Sequence, residues 1–187
     1  MKTSTSLKSL ALLLLLPALV MIGCKRDDCK PGEECHDHEN ELITKVALAF
    51  SNPATNQVIS QFEFSDADGV GGNNPTIDSI LLDSGMTYNV DVRVYAEHED
   101  HTDEITAEIQ AEGDEHLFCF TPAGVNLTVT RTDTDGTYQI GLKSRWVAGA
   151  ASTGSITVVL RHQPDSKDGT CTPGDTDVEA SFPVVIR

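Results

Sequence analysis

One segment of the chain concentrates side chains that bind metals. Glu97–His116 reads EHEDHTDEITAEIQAEGDEH and holds three of the six histidines and nine carboxylates, without a lysine or an arginine. Within it, His98 and His101 are three residues apart and can share one face. Neutral imidazoles together with carboxylates are ligands of Zn²⁺ and Cu²⁺ in proteins. The segment therefore predicts a site for a borderline divalent metal.

Two more histidines are expected at the same site. His116 begins the strand that should follow the segment, and His162 ends a later strand. The expected ligand set contains four imidazoles with two supporting carboxylates: His98, His101, His116 and His162, with Glu97 and Asp114. Zn or Cu is the expected metal. The alternative interpretation is that these are ordinary exposed histidines on loops.

Signatures of catalysis are missing from the sequence. His98-Glu99-Asp100-His101 differs from the His-Glu-x-x-His motif of zinc proteases because its histidines are one residue too close. The chain has no Gly-x-Ser-x-Gly nucleophile elbow and no glycine-rich phosphate loop. We therefore expect a binding protein that is not an enzyme, and we predict no catalytic residue.

The segments that must position these histidines have strand patterns. Tyr88–Tyr95 alternates cleanly, with Tyr88, Val90, Val92 and Val94 on one face and polar residues between them. Similar runs recur along the chain at regular spacing, separated by turn residues. About nine short strands with one short helical insertion predict an all-β fold, an immunoglobulin-like antiparallel β-sandwich.

The helical insertion is expected inside the metal-ligand segment. Asp103–Glu112 has Ile105 and Ile109 on one face and a line of acidic side chains on another. Thr102 or Asp103 is the expected N-cap. The segment should therefore leave one strand, form a short helix and return to the next strand.

The expected order of strands places the histidines together. Val125–Arg131 and Thr137–Lys143 should form a hairpin around an Asp-Gly turn, and Arg145–Gly154 should be a connection. Successive strands of an antiparallel sandwich reverse direction, so counting them puts Glu97–His116 and the loop after His162 at the same end. Binding residues commonly lie on loops above a rigid scaffold. We therefore expect the ligand site at that end.

The N-terminus predicts an exported lipoprotein. Residues 1–23 carry two lysines and then an apolar run too short for a membrane span, which indicates a signal peptide. Gly23-Cys24 resembles the lipobox of bacterial lipoproteins, with Cys24 as the lipidated residue. Palmitate and other acyl chains there would hold the protein on a membrane. The alternative is a secretory signal that is cleaved without lipidation.

A charged tether should follow the lipid. Residues 24–41 have no apolar periodicity, which predicts a flexible acidic linker. Its segment 35–39, CHDHE, could chelate a metal, although a plain polar linker is the alternative. Residues 42–187 are long enough to form one β-sandwich domain with its own core.

The charge of the chain limits the classes of partner it can bind, and its cysteine content indicates an oxidising compartment outside the cytoplasm. The formal net charge is −16, and it becomes −18 without residues 1–23, which argues against nucleic acid as a partner. Apart from Cys24 there are four cysteines, and an even number in an exported protein suggests disulfides. Of the possible pairings, Cys119–Cys171 with Cys29–Cys35 is expected. A buried, unpaired Cys119 is the alternative.

Four segments carry a resemblance to a known group of proteins. They are the acidic leader after Cys24, EITAEIQAEGDEH at 104–116, LRHQP at 160–164 and GDTDVEASFPVVI at 174–186. They resemble small Bacteroidota outer-membrane lipoproteins that accompany TonB-dependent receptors. The resemblance implies a lipid-anchored, surface-exposed accessory protein of the outer membrane, which would present a metal or metal complex to such a receptor. A structural or adhesive surface domain without a small-molecule ligand is the alternative.

Overall fold

A computed structural model describes residues 43–69, 71–98 and 100–187 of the chain. These residues form eleven strands and one short helix. In chain order the elements are β1 (Lys45–Ser51), β2 (Val58–Ser65), β3 (Thr76–Ile77), β4 (Ile80–Leu82), β5 (Thr87–Glu97), β6 (Thr102–Glu104), α1 (Thr106–Ala111), β7 (His116–Ala123), β8 (Leu127–Arg131), β9 (Lys143–Ala148), β10 (Ser152–His162) and β11 (Asp175–Ile186).

The strands form two sheets that share one hydrophobic core. The larger sheet has the order β3-β2-β1-β5-β9-β8, with β6 paired to β5, and the smaller has the order β4-β11-β10-β7. β4 and β11 pair in parallel, whereas the other pairs are antiparallel. Buried apolar side chains from both sheets form a single cluster. The predicted all-β sandwich is therefore confirmed.

The alternation predicted for β5 is also confirmed. Tyr88, Val90, Val92 and Val94 are buried, and the residues between them face away from the core. Trp146 on β9 is fully buried at the centre of the core, packed edge-to-face against two phenylalanine rings. Period-two burial of this kind fixes the register, because a slip of one residue would expose the whole apolar set.

The helical insertion is shorter than predicted. Ile105 and Ile109 are buried, as expected, but α1 begins only at Thr106, after Ile105 as the N-cap residue without a side-chain cap. The predicted capping by Thr102 or Asp103 is wrong, because both residues belong to β6. Their backbone pairs with the end of β5, which satisfies it in a sheet ladder instead of a helix.

The predicted hairpin partner of β8 is wrong. β8 pairs with β9, whereas Thr137–Leu142 lies in a long loop. Asp133 stabilises this loop, because its carboxylate accepts hydrogen bonds from the backbone N–H groups of Gly141 (2.7 Å) and Lys143 (3.0 Å). The segment expected to be a connection, Arg145–Gly154, instead contains most of β9 and the start of β10. β9 thus takes the place of the strand predicted at 137–143, and the count of eleven exceeds the expected nine through short strands elsewhere, such as β3 and β6.

The predicted disulfide between Cys119 and Cys171 is confirmed, with a Cα–Cα distance of 6.1 Å. It fastens the loop 163–174, between β10 and β11, to β7. Gln163 also holds this loop, because its Nε2 donates to the carbonyls of Thr170 and Pro173, each at 2.9 Å. The signal peptide, Cys24, the tether and the Cys29–Cys35 pair lie outside the described residues.

Candidate metal centre

A tight turn between β5 and β6 brings His98 and His101 together. The backbone N–H of His98 donates to the carbonyl of His101 at 2.8 Å, and Glu97 pairs with Thr102 just before the turn. The two imidazole rings stack with their centroids 4.6 Å apart and an interplanar angle of 21°. The turn and the pairing of β6 with β5 thus position both rings.

Asp103 completes this group. Its Oδ2 lies 3.7 Å from Nε2 of His98 and 3.1 Å from Nε2 of His101. One ligand atom from each of these residues lies within 4.8 Å of the other two, and in the described part of the chain this is the one group of three with that spacing. The three side chains are 45%, 54% and 57% exposed, in the order His98, His101, Asp103, so an ion can reach them from solvent.

Asp100 orients one of the two imidazoles. Its Oδ1 lies 2.7 Å from Nδ1 of His101. A carboxylate can only accept a hydrogen bond, so the proton of a neutral His101 ring belongs on Nδ1. The lone pair of Nε2 then faces Asp103. A carboxylate behind a ligating histidine is the arrangement that fixes tautomer and ring orientation in many zinc sites.

The two predicted supporting carboxylates lie elsewhere. Glu97 forms an ion pair with Lys45 and accepts a hydrogen bond from the hydroxyl of Ser65 at 3.4 Å. Asp114 lines a surface depression together with Asp135 and Lys167. Neither carboxylate has a polar contact with His98 or His101 among the described residues.

The structure places the other two predicted histidines in a separate pair. His116 and His162 lie directly opposite each other on β7 and β10, in the smaller sheet, and their rings stack 4.9 Å apart at 11°. His98 and His101 follow β5, in the larger sheet. The four histidines therefore form two stacked pairs at one end of the sandwich, and of these only His98 and His101 belong to the group with the spacing given above.

Carboxylates surround the second pair. Asp177 Oδ2 lies 3.7 Å from Nε2 of His116, and Glu115 Oε2 lies 3.5 Å from Nε2 of His162. Nδ1 of His116 is 3.1 Å from the carbonyl of Glu112, so it carries a proton that it donates. The side chains of His116 and Asp177 are only 10% and 6% exposed.

Burial dominates the electrostatics of this second pair. Desolvation lowers the pKa of His116, while the hydrogen bond to Glu112 and the charge of Asp177 act in the opposite direction. Desolvation also raises the pKa of Asp177, against the neighbouring histidines, which lower it. Both shifts disfavour charge at the site.

Sequence reasoning missed four functional candidates: Asp100, Asp103, Glu115 and Asp177. The sequence pattern predicts a helix start at Asp103, although a position just after a short polar turn is equally typical of a hairpin. Asp177 comes next to His116 only because β11 lies beside β10, and no local pattern encodes that neighbourhood.

No family model, curated protein or solved structure matches this chain. Within the described residues, no helix has the length and apolar character needed to cross a membrane.

Proposed function

We propose that this protein is a binding module that captures a borderline divalent metal, Zn²⁺ or Cu²⁺, at His98, His101 and Asp103. The observation that carries the proposal is the spacing of their three ligand atoms, all within 4.8 Å of one another. Two imidazoles and one carboxylate form a donor set suited to both metals, and Cu²⁺ should bind more tightly.

The surroundings of the group favour a cation. Lysine and arginine are absent from Glu97–His116, and the chain has a formal net charge of −16. Asp100 supports His101 from behind, which leaves Nε2 as the ligand atom. The three exposed ligands leave coordination positions open to water or to a partner's donors, so the site is suited to exchange of metal and not to permanent storage.

The sequence supplies the setting of the proposal. The lipobox-like Gly23-Cys24 supports a lipid anchor in the outer membrane, and the resemblance to lipoproteins that accompany TonB-dependent receptors supports presentation of metal to such a receptor. The buried Trp146 and the connections that cross between the two sheets support an immunoglobulin-like class of sandwich. On this proposal the protein binds and presents metal and catalyses no reaction.

Calorimetric titration of the full chain with Zn²⁺ and with Cu²⁺, in detergent solution, tests the proposal. The strongest binding step should disappear in His98→Ala/His101→Ala, and Asp100→Asn should weaken it by about tenfold or more, because the ring loses its orienting acceptor. Glu104→Gln is the matched control, since it removes one negative charge next to Asp103 without removing a ligand.

The outcomes separate the two functional classes. Equal binding by the wild type and the double variant would place the strongest site elsewhere and overturn the proposal. Equal losses in Asp100→Asn and Glu104→Gln would indicate only general attraction by negative charge. An absence of binding by the wild type would favour a structural or adhesive surface domain.

A further inference from the structure

Asp177 is a buried carboxylate that forms no ion pair with a lysine or an arginine among the described residues. Its side chain is 6% exposed, and its Oδ1 has no hydrogen-bond partner among the described residues. The charge of Arg161 acts on Asp177, but its guanidinium donates its hydrogen bonds to backbone carbonyls of the loop after β10 and to the hydroxyl of Thr176. A buried, unpaired charge is costly, so this position calls for a cation.

His116 faces this carboxylate with a lone pair. Because Nδ1 donates to the carbonyl of Glu112, Nε2 of the neutral ring is an acceptor, and it lies 3.7 Å from Asp177 Oδ2. Two acceptors that face each other repel unless a cation lies between them. A metal ion, which needs unprotonated nitrogen, is the cation that suits these conditions.

His162 lies where a second ligand is required. It is the cross-strand partner of His116, and side chains at such positions start about 4.5–5.5 Å apart at Cβ, so both rings can turn toward one ion. Glu115 adds an oxygen 3.5 Å from Nε2 of His162. Separations of 3.5 and 3.7 Å exceed those of charge-assisted hydrogen bonds. They approach the distance of about 3.3 Å between two ligands on a tetrahedral zinc with bonds of about 2.0–2.1 Å.

We propose that His116, His162 and Asp177, with Glu115 in support, form a second and half-buried site for a divalent metal such as Zn²⁺. This site is separate from His98, His101 and Asp103, and it does not depend on the function proposed for them. Its ligand atoms are more widely spread than those of the exposed group, so binding must draw the two imidazoles together. The ion would neutralise the buried charge of Asp177 and link β7, β10 and β11.

Imidazole NMR tests this proposal without altering the proposed ligands. The full chain would carry His98→Ala/His101→Ala to remove the exposed pair and His36→Ala/His38→Ala to remove the leader histidines. Two-bond ¹H–¹⁵N spectra then report the ring nitrogens of His116 and His162 during titration with Zn²⁺. We expect both Nε2 resonances to shift together and to saturate at one equivalent of metal.

Asp177→Asn in the same background should weaken this binding by about tenfold or more. Asp175→Asn is the matched control, because Asp175 is the exposed strand partner of His162 and its removal should change the affinity much less. The proposal is overturned if neither resonance moves in a large excess of Zn²⁺, if only one ring responds, or if Asp177→Asn binds as well as its control. Because the exposed pair is absent from this protein, none of these results bears on the metal group of His98.

Discussion

Two pairs of stacked histidines lie at one end of the sandwich, and the chain builds them by opposite means. His98 and His101 are neighbours because a tight turn bends the local sequence, and their side chains are about half exposed. His116 and His162 are neighbours because two distant strands pair in one register, and a buried carboxylate lies beside them. The first pair is accessible and the second is pre-positioned.

The difference in burial determines how strongly charge at each pair affects the stability of the fold. Solvent screens the charges of the exposed pair, so ion pairs there contribute little to stability. In the half-buried pair each change of charge must be offset inside the protein, so protons and metal ions there are linked to folding. On the two proposals above, metal would exchange at the β5–β6 turn, whereas metal bound between the strands of the smaller sheet would be coupled to stability.

Removal of the disulfide should have the largest effect of the changes considered, and it should affect the surroundings of His162 more than the turn of His98 and His101. Cys119→Ala/Cys171→Ala opens a link between residues 52 apart in sequence, which should lower the free energy of unfolding by about 4 kcal/mol in the chain-entropy model. Denaturant unfolding measures the loss. Hydrogen exchange should show the largest loss of protection in the loop 163–174, which follows His162, and a smaller loss at the β5–β6 turn.

Metal binding by the exposed pair should persist in this variant, provided that circular dichroism shows an intact β fold. The reason is that the turn of His98 and His101 is held by its own backbone hydrogen bond and by pairing of β6 with β5. Loss of metal binding in the folded variant would show that the two regions are coupled and would refute their independence.

Acidification should reduce the stability that His116 contributes to the folded protein. Because desolvation lowers the pKa of His116 in the folded state, the unfolded chain binds a proton more readily there. The resulting stability is complete above the unfolded value of about 6.5 and is lost as the pH falls through the lower folded pKa, by at most about 1.4 kcal/mol per pH unit. His116→Gln should remove this slope, whereas His101→Gln should retain it.

Urea unfolding between neutral and mildly acidic pH measures the slope. Asp177 contributes to the slope with the opposite sign. Its raised pKa makes the folded state bind a proton more readily than the unfolded chain, so its contribution to stability grows as the pH falls from neutral toward the ordinary carboxyl range. Glu112, Glu115 and His162 also face His116, and Asp177→Asn isolates the histidine contribution. A slope of the same size in His116→Gln would assign the effect to another group.

Local pattern was enough to predict much of the fold. The alternation of β5, the all-β sandwich and the Cys119–Cys171 bridge all follow from residue type, spacing and an exported setting. The position of β9 could not be predicted from local pattern. Residues 137–142 form a loop instead of the predicted strand, because Asp133 and Asp135 accept hydrogen bonds from backbone N–H groups in and next to this loop. Those bonds replace the strand pairing that the Asp-Gly turn suggested.

The candidate site was predictable in residue type and general place but not in grouping. His98 and His101 come together through local sequence, and their three-residue spacing indicated as much. Sheet membership separated them from His116 and His162, and it is set by pairings between strands far apart in sequence. Glu97 likewise forms an ion pair with Lys45, which lies 52 residues earlier in the chain, and no local motif could predict that contact.

The smallest expected effect tests whether Glu97 is a structural residue or a metal ligand. Glu97→Gln removes one partner of the ion pair with Lys45, in which both side chains are 23% exposed, so we expect a loss of about 0–1 kcal/mol in the free energy of unfolding. Lys45→Gln should cause a similar loss, and both variants should keep the wild-type Zn²⁺ affinity in calorimetry. A clear loss of affinity in Glu97→Gln alone would return this carboxylate to the ligand set beside His98. Equal affinities would show that Glu97 contributes only to folding. The exposed metal group would then consist of His98, His101 and Asp103 alone.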